Sequence, residues 1–273
     1  MVSFFLFFFG YSSNAQDVAD YTIYYDFKSI SDTIENTFLR SEEFILYRVG
    51  QESRFLASAR YYNDSMGAVF LKDYPQPAFN SQEEVQNYVN LITKYRDRKT
   101  IQSNYRVNKN FQSGNFIALL LFSLPTQYME EPMNFKWNIS NEVDTILGLP
   151  SIKASTNYGG RRYYAWFTSA IPINDGPYVF QGLPGLILKV ADERGWYTFS
   201  AKHIIADKTI RYWKPDFINK FSKKIDRKAF VDKMIEYKQN PQMPPGVINF
   251  TEEDRLKMKD AHKNRFDLLI EQY

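Results

Sequence analysis

Few side chains in this sequence are equipped for chemistry. Two histidines, His203 and His262, are the only ones in 273 residues, and cysteine is absent. That excludes a thiol nucleophile, a thiolate metal ligand, an acylated cysteine and a disulfide. A zinc site needs three or four converging ligands, and neither HExxH nor an equivalent spacing occurs. Each histidine therefore reads as structural or superficial. Serine hydrolases display G-x-S-x-G, and Ser113-Gly114 lacks the partner glycine. A hydrolase would have to assemble distant groups, His203 with a serine or paired acids. The 31 acidic residues make chance carboxylate pairs easy, so their number decides nothing. Gly159-Gly160 lacks the lysine of a phosphate-cradling loop, although Arg161 and Arg162 could meet an anion. No catalytic residue, metal ligand or cofactor site is assigned. A net charge of +3 is too small and dispersed to imply nucleic acid. Lys220, Lys223, Lys224, Arg227 and Lys228 form a basic cluster suited to anionic headgroups, but Asp226 and Asp232 dilute it to a solvated helix face.

The stretch "GPYVFQGLPGLILKV" (Gly176–Val190) is distinguished by rigidity rather than reactivity. Pro184 presets φ and Gly185 tolerates positive φ, so Leu183–Leu186 suits a type II turn. Gly182 permits close backbone approach. Leu186, Ile187, Leu188 and Val190 enter a strand almost without alternation, which suggests burial on both faces. Upstream, Ile171-Pro172 and Gly176-Pro177 fix another corner. Between Ile171 and Leu188, Asp175 is the only charge. The stretch reads as a rigid connection between core strands, not as a ligand loop.

The elements that must hold this connection are mainly strands. Tyr21–Phe27, two segments within Glu42–Asp64 around Gly50, and Gly67–Pro75 read as strands of aromatic and β-branched residues. Ser81 with Glu84 forms a capping box, and Val85, Val89, Ile92 and Tyr95 predict a helix over Gln82–Arg98. Seven closely spaced strands follow between Thr100 and Ile205, with hairpin turns at Asn157–Gly160 and Asp192–Gly195. Ile225, Ala229, Phe230, Met234 and Tyr237 line one side of a helix, and Thr251 caps a last polar one. The expected fold is mainly β within an α+β class. It is a curved antiparallel sheet with one early helix and two C-terminal helices over an edge or apolar face. A closed barrel is the alternative. With 20 Tyr, 23 Phe and 4 Trp, aromatic rings supply the core.

"MVSFFLFFFGYSSNAQ" (Met1–Gln16) has the apolar core and small-residue cleavage site of a secretory signal peptide, though no basic n-region. We expect residues 1–15 to be that peptide and 16–273 a single exported domain, its helical part spanning about 220–273. The apolar run Ile117–Phe122 is far short of the ~20 residues a spanning helix needs, so no later transmembrane segment is expected.

"GLPGLIL" at Gly182–Leu188, preceded by "AWFTSAIPINDGP" at Ala165–Pro177, resembles the GLPGLI family of exported Bacteroidetes proteins (Porph_ging-type). The resemblance is strongest over Lys136–His203 and includes "KWNI", "IKA", "GR" and "YYAWF". It extends loosely to Glu52–Phe55. Family members often carry a cysteine before the "KA" pair, where this chain has Ser151-Ile152, so any role needing a thiol there is excluded. The resemblance implies a Gram-negative envelope location, periplasmic, outer-membrane-associated or secreted, and no assigned activity. Its motif residues are Trp166, Phe167, Pro172, Gly176, Pro177, Gly182, Leu183, Pro184, Gly185, Leu186, Ile187 and Leu188, expected to be structural with binding as the alternative. Three functions remain open. The first is non-enzymatic binding of an envelope protein or apolar ligand through the curved sheet. The others are hydrolysis of peptides or glycans and a shuttle like the lipoprotein carriers.

Overall fold

The computed structural model describes residues 20–30, 39–73, 105–120, 127–206 and 222–239, with 81, 83, 84, 87, 99, 253 and 256 singly. Twelve strands form one sheet. The first meander runs β1 (Tyr21–Ile30), β2 (Leu39–Val49), β3 (Glu52–Ala57), β4 (Tyr105–Asn110), β5 (Asn115–Leu120) and β6 (Gln127–Pro132). The second runs β7 (Asn138–Ile146), β8 (Leu149–Tyr158), β9 (Arg161–Thr168), β10 (Leu186–Asp192) and β11 (Tyr197–Ile205). A two-residue strand, β12 (Lys223–Lys224), precedes α2 (Arg227–Gln239), and α1 (Ser58–Asp73) follows β3. The order across the sheet is β12-β6-β5-β4-β3-β2-β1-β11-β10-β9-β8-β7. Antiparallel pairing of β1 with β11 joins the two meanders. Only β12 on β6 is parallel, which makes the sheet mixed rather than wholly antiparallel.

The chain path requires strong curvature. β6 and β7 lie ten places apart in the order, yet only residues 133–137 connect them. A flat sheet would separate them by about 48 Å, and the connection reaches about 20 Å. The sheet must curl until its ends approach. It stays open in its hydrogen bonding, with β12 and β7 as ends. The seam is bridged by side chains instead: Arg227, at the start of α2, pairs with Glu131 of β6 and donates to the Tyr158 hydroxyl of β8 at 3.0 Å.

One face of the curl carries the core. Tyr25, Phe27, Phe44, Phe55, Phe116, Tyr163, Phe167 and Phe199 are at most 1% exposed and belong to one cluster with Phe230 of α2. Turns follow backbone chemistry: Gly159 and Gly160, both at positive φ, close the β8–β9 hairpin as the Asn-Tyr-Gly-Gly run predicts. On the other face, Ile45, Tyr47 and Leu56 form a small second core with Tyr61 of α1.

Two local expectations are corrected. Gly67–Asp73, expected as a strand, continues α1. Its apolar run is too short for periodicity to separate a strand from a buried helix. Leu183–Leu186 is not a type II turn: the Gly185 amide donates to the Leu183 carbonyl at 2.8 Å, a three-residue turn centred on Pro184. Of the early helix, Glu83, Glu84 and Asn87 are described and helical, and the Ser81 hydroxyl accepts the Glu84 amide at 3.2 Å. The remainder of Gln82–Arg98 lies outside the described residues. So do Thr251 and most of the last helix, where Glu253 and Leu256 are helical. Asp226 caps α2, accepting the Ala229 amide at 2.7 Å. Val231 joins Phe230 as a buried residue of α2, a position the expected apolar stripe omitted.

Candidate functional site

The motif residues divide between β9, an inward-folded loop and β10. Residues 169–185 leave β9 and turn into the concavity, where Tyr178, Val179, Phe180 and Leu183 are at most 4% exposed. Phe180 meets Tyr163 at 4.8 Å between ring centroids, and Phe135 of the 133–137 connection at 5.5 Å. Tyr178 stacks on Phe199 and holds a φ of 53°, a strained position for a non-glycine residue. Pro177 is buried with this loop, whereas Pro172, Gly182 and Pro184 lie at its exposed corners. The loop is therefore a plug made of the protein's own chain.

Two glycines make the plug possible. A Cβ on Gly185 (φ +154°) would stand 2.1 Å from the Thr168 carbonyl oxygen, and one on Gly176 would stand 2.7 Å from the Ile187 Cβ. Neither neighbour can yield, because one is backbone and the other lies in the core. Leu186, Ile187 and Leu188 are all fully buried. The expected two-faced burial has a local cause: pairing with β9 jumps from Ile187↔Phe167 to Lys189↔Trp166, so Leu188 is the extra residue of a β-bulge. Beyond it β10 alternates normally, and Lys189 points outward.

A buried polar group fastens the plug. The Lys109 Nζ donates to Asp175 Oδ1 at 2.7 Å and to the Gly176 and Phe180 carbonyls at 2.5 and 3.2 Å. Lys109 and Asp175 are each 1% exposed. Three acceptors use all three donors of the ammonium group, so it is a fastening and not a free nucleophile. Burial lowers the Lys109 pKa, with Asp175 opposing the shift. Tyr25 of β1 donates to the Ile187 carbonyl at 2.7 Å, and burial, followed by Asp175, raises its pKa well above the ordinary value. Sequence reading missed Lys109 and Tyr25. The available signal was parity, since Lys109 shares the inward side of β4 with Val107.

The other chemistry-bearing residues do not converge. His203 is exposed on β11 with its ring edge-on to Tyr24 at 6.3 Å, and His262 lies outside the described residues. Among the described residues, no three of His, Asp or Glu are grouped to hold a metal. Arg161 turns to Asp192 at 3.5 Å with its guanidinium 4.9 Å from the Tyr197 ring, while Arg162 stays on the surface. Three members of the basic cluster at the start of α2 are paired: Lys224 with Glu130 at 2.8 Å, Arg227 with Glu131, and Lys228 with Asp232 at 2.6 Å. Lys220 lies outside the described residues. Arg106, 1% exposed under α1, pairs with Asp64 at 2.8 Å, and burial lowers its pKa to about 10.

On the outer face of β8–β10 the motif presents Trp166. The Lys189 Nζ stands 4.7 Å from its ring centroid, and the Lys153 Nζ lies 5.9 Å from it and 4.9 Å from that of Tyr164. Trp166 is thus half-buried on the outer face, while its neighbour Phe167 is core.

Residues 134–189 match Porph_ging, a family of proteins of unknown function. The Porph_ging segment contains the 133–137 connection except its first residue, β7, β8, β9, the plug and β10 as far as Lys189. The structure of PNGF-II in space group P21 is similar over 87% of this chain and 37% of its own, with a TM-score of 0.50 and 14% identity. PNGF-II in space group C2 gives a TM-score of 0.49 at 15% identity, over 87% of this chain and 36% of its own. This chain spans little more than a third of PNGF-II, and the likeness is one of β-rich fold alone. No curated protein matches the chain. Among the described residues, no helix is long and apolar enough to cross a membrane.

Proposed function

We propose that the chain is a non-enzymatic cell-envelope protein that binds a partner protein with the outside of its curved sheet. One observation carries this reading: the concave side is filled by residues 169–185 and fastened through Lys109 to Asp175 and two carbonyls. An apolar ligand or a shuttled lipid would have to displace a plug whose Val179 and Phe180 are 0% exposed. A hydrolase built on the buried lysine and acid would need substrate to reach groups 1% exposed, and His203 stands on the opposite face from them. On the outer face of β8–β11, Tyr164, Trp166, Thr198 and Ser200 are half-buried, and no described helix packs on these strands. The envelope location rests on the apolar core and small-residue end of Met1–Gln16.

Photocrosslinking in host cells tests the reading. A photoreactive residue replacing Ser200 or Ser155, both on the outer face, should yield one defined protein adduct. The same residue replacing Ser113, in the exposed β4–β5 turn, should not. Native mass spectrometry should show the purified chain without bound lipid. A stoichiometric lipid, or equal crosslinking from all three positions, would overturn it.

A further inference from the structure

The strand register places outward residues of neighbouring strands in rows. One row runs Lys153 (β8), Trp166 (β9), Lys189 (β10), Ser200 (β11), Asp26 (β1) and Glu43 (β2). The next runs Ser155, Tyr164, Ala191 and Thr198. The two rings thus stand side by side on β9, and the short side chains of Ala191, Thr198 and Ser200 form a lower shelf beside them. Arg162 extends the group, its guanidinium 5.5 Å from the Tyr164 centroid.

The charges of this group are unequally answered. Lys153 pairs with Glu142 at 2.8 Å. Lys189 and Arg162 have no carboxylate within 4.0 Å among the described residues, and each is oriented by a ring instead. The nearest acid at the margin, Glu193, accepts from the Tyr164 hydroxyl at 3.4 Å. Two fixed cations beside two aromatic rings favour an anion attached to something apolar, because the rings must be covered while the cations are paired. At the far end of the row Asp26 and Glu43 are paired with Lys28 at 3.7 Å and Lys202 at 3.3 Å, so the cationic patch ends there and does not continue into the broad basic face that a bilayer or a nucleic acid would need. Lys189 lies opposite Trp166 and Arg162 four residues earlier on β9, so the two cations stand about 14 Å apart on the sheet, which matches a short segment.

We propose that Lys189 and Arg162, with Trp166 and Tyr164, form a docking site for an acidic segment of a partner protein carrying apolar residues between its carboxylates. This rests on the outer-face reading above and names the chemistry of the partner that reading requires.

The test uses the full mature chain and a fluorescent 12-residue peptide alternating glutamate with leucine and tyrosine. Fluorescence anisotropy should show saturable, salt-sensitive binding. Lys189→Glu with Arg162→Glu should weaken it about tenfold or more, and Trp166→Ala should weaken it with the charge intact. The charge-matched control, Lys228→Glu with Lys233→Glu on exposed positions of α2, should change it less than twofold. Equal weakening by the control would reduce the interaction to net charge and overturn the proposal. So would absence of peptide binding, a lysine-for-glutamate peptide binding as well, or binding only to vesicles containing phosphatidylglycerol. If the peptide fails while Ser200 still crosslinks to one protein, the acidic chemistry falls and the outer-face reading stands. If both fail, both fall.

Discussion

Phe167 and Trp166 are adjacent on β9, and they meet different surroundings. Phe167 is 1% exposed and sits in the main core, whereas Trp166 is half-buried between two lysines on the outer face. The same division holds along β9: Tyr163 and Ala165 are buried, and Arg162 and Tyr164 are not. Inside, the Porph_ging segment meets its own chain, with Phe180 and Tyr178 laid against Tyr163 and Phe199. Outside, it meets solvent. The outer face of the first meander differs again, because α1 covers Ile45, Tyr47 and Leu56 there. The lesson is that strand alternation divides one motif between two surroundings: Tyr163, Ala165 and Phe167 lie in the core, and Arg162, Tyr164 and Trp166 do not.

The sharpest way to break this division is at the bend. Gly185→Val should cost about 4 kcal/mol or more, because the Cβ meets a backbone carbonyl and valine resists positive φ. Loss of the cooperative thermal transition is the expected result. Retained stability with lost binding would instead make the loop a site. Next come the adjacent aromatics. Phe167→Ala should lower the unfolding free energy by about 4 kcal/mol and Trp166→Ala by less than about 1 kcal/mol, read from urea midpoints at constant slope. Similar losses would erase the distinction between the faces.

Lys109→Met should cost about 3 kcal/mol, because Asp175 is left buried without its cation. Adding Asp175→Leu should recover most of that loss, since two apolar groups leave no charge to solvate. A double variant no better than the single one would argue against fastening as the role of the pair.

The smallest effect concerns Tyr25. Burial raises its pKa above the ordinary 10.0, so above pH 10 the unfolded chain sheds this proton while the folded chain keeps it. The folded state then binds more protons, and stability falls as pH rises. Tyr25→Phe should cost about 1 kcal/mol at neutral pH, with the Ile187 carbonyl losing its donor. It should also flatten the decline between pH 10 and 11 relative to the parent chain. An unchanged alkaline slope would place the titration elsewhere.

The β class, the hairpins at Asn157–Gly160 and Asp192–Gly195 and the capped start near Ser81 were legible in the sequence, because each depends on backbone preferences of a few neighbouring residues. The same reading did not separate strand from helix at Gly67–Asp73. There a five-residue apolar run satisfies both periods, and it continues the helix that begins at Ser58. It expected a type II turn over Leu183–Leu186, where the Gly185 amide instead closes a three-residue turn on the Leu183 carbonyl.

For the candidate site, sequence alone determined which groups were missing: the chain has no thiol and only two histidines. Tertiary structure decided where the motif goes. Folding inward of residues 169–185 depends on Lys109, more than 60 residues upstream, whose burial beside Asp175 no local pattern specifies. The β-bulge at Leu188 then turns Lys189 outward, next to Trp166. Local preference acts through a few bonds, whereas ion pairs and strand register join residues far apart in the chain, and only the folded state brings them within reach.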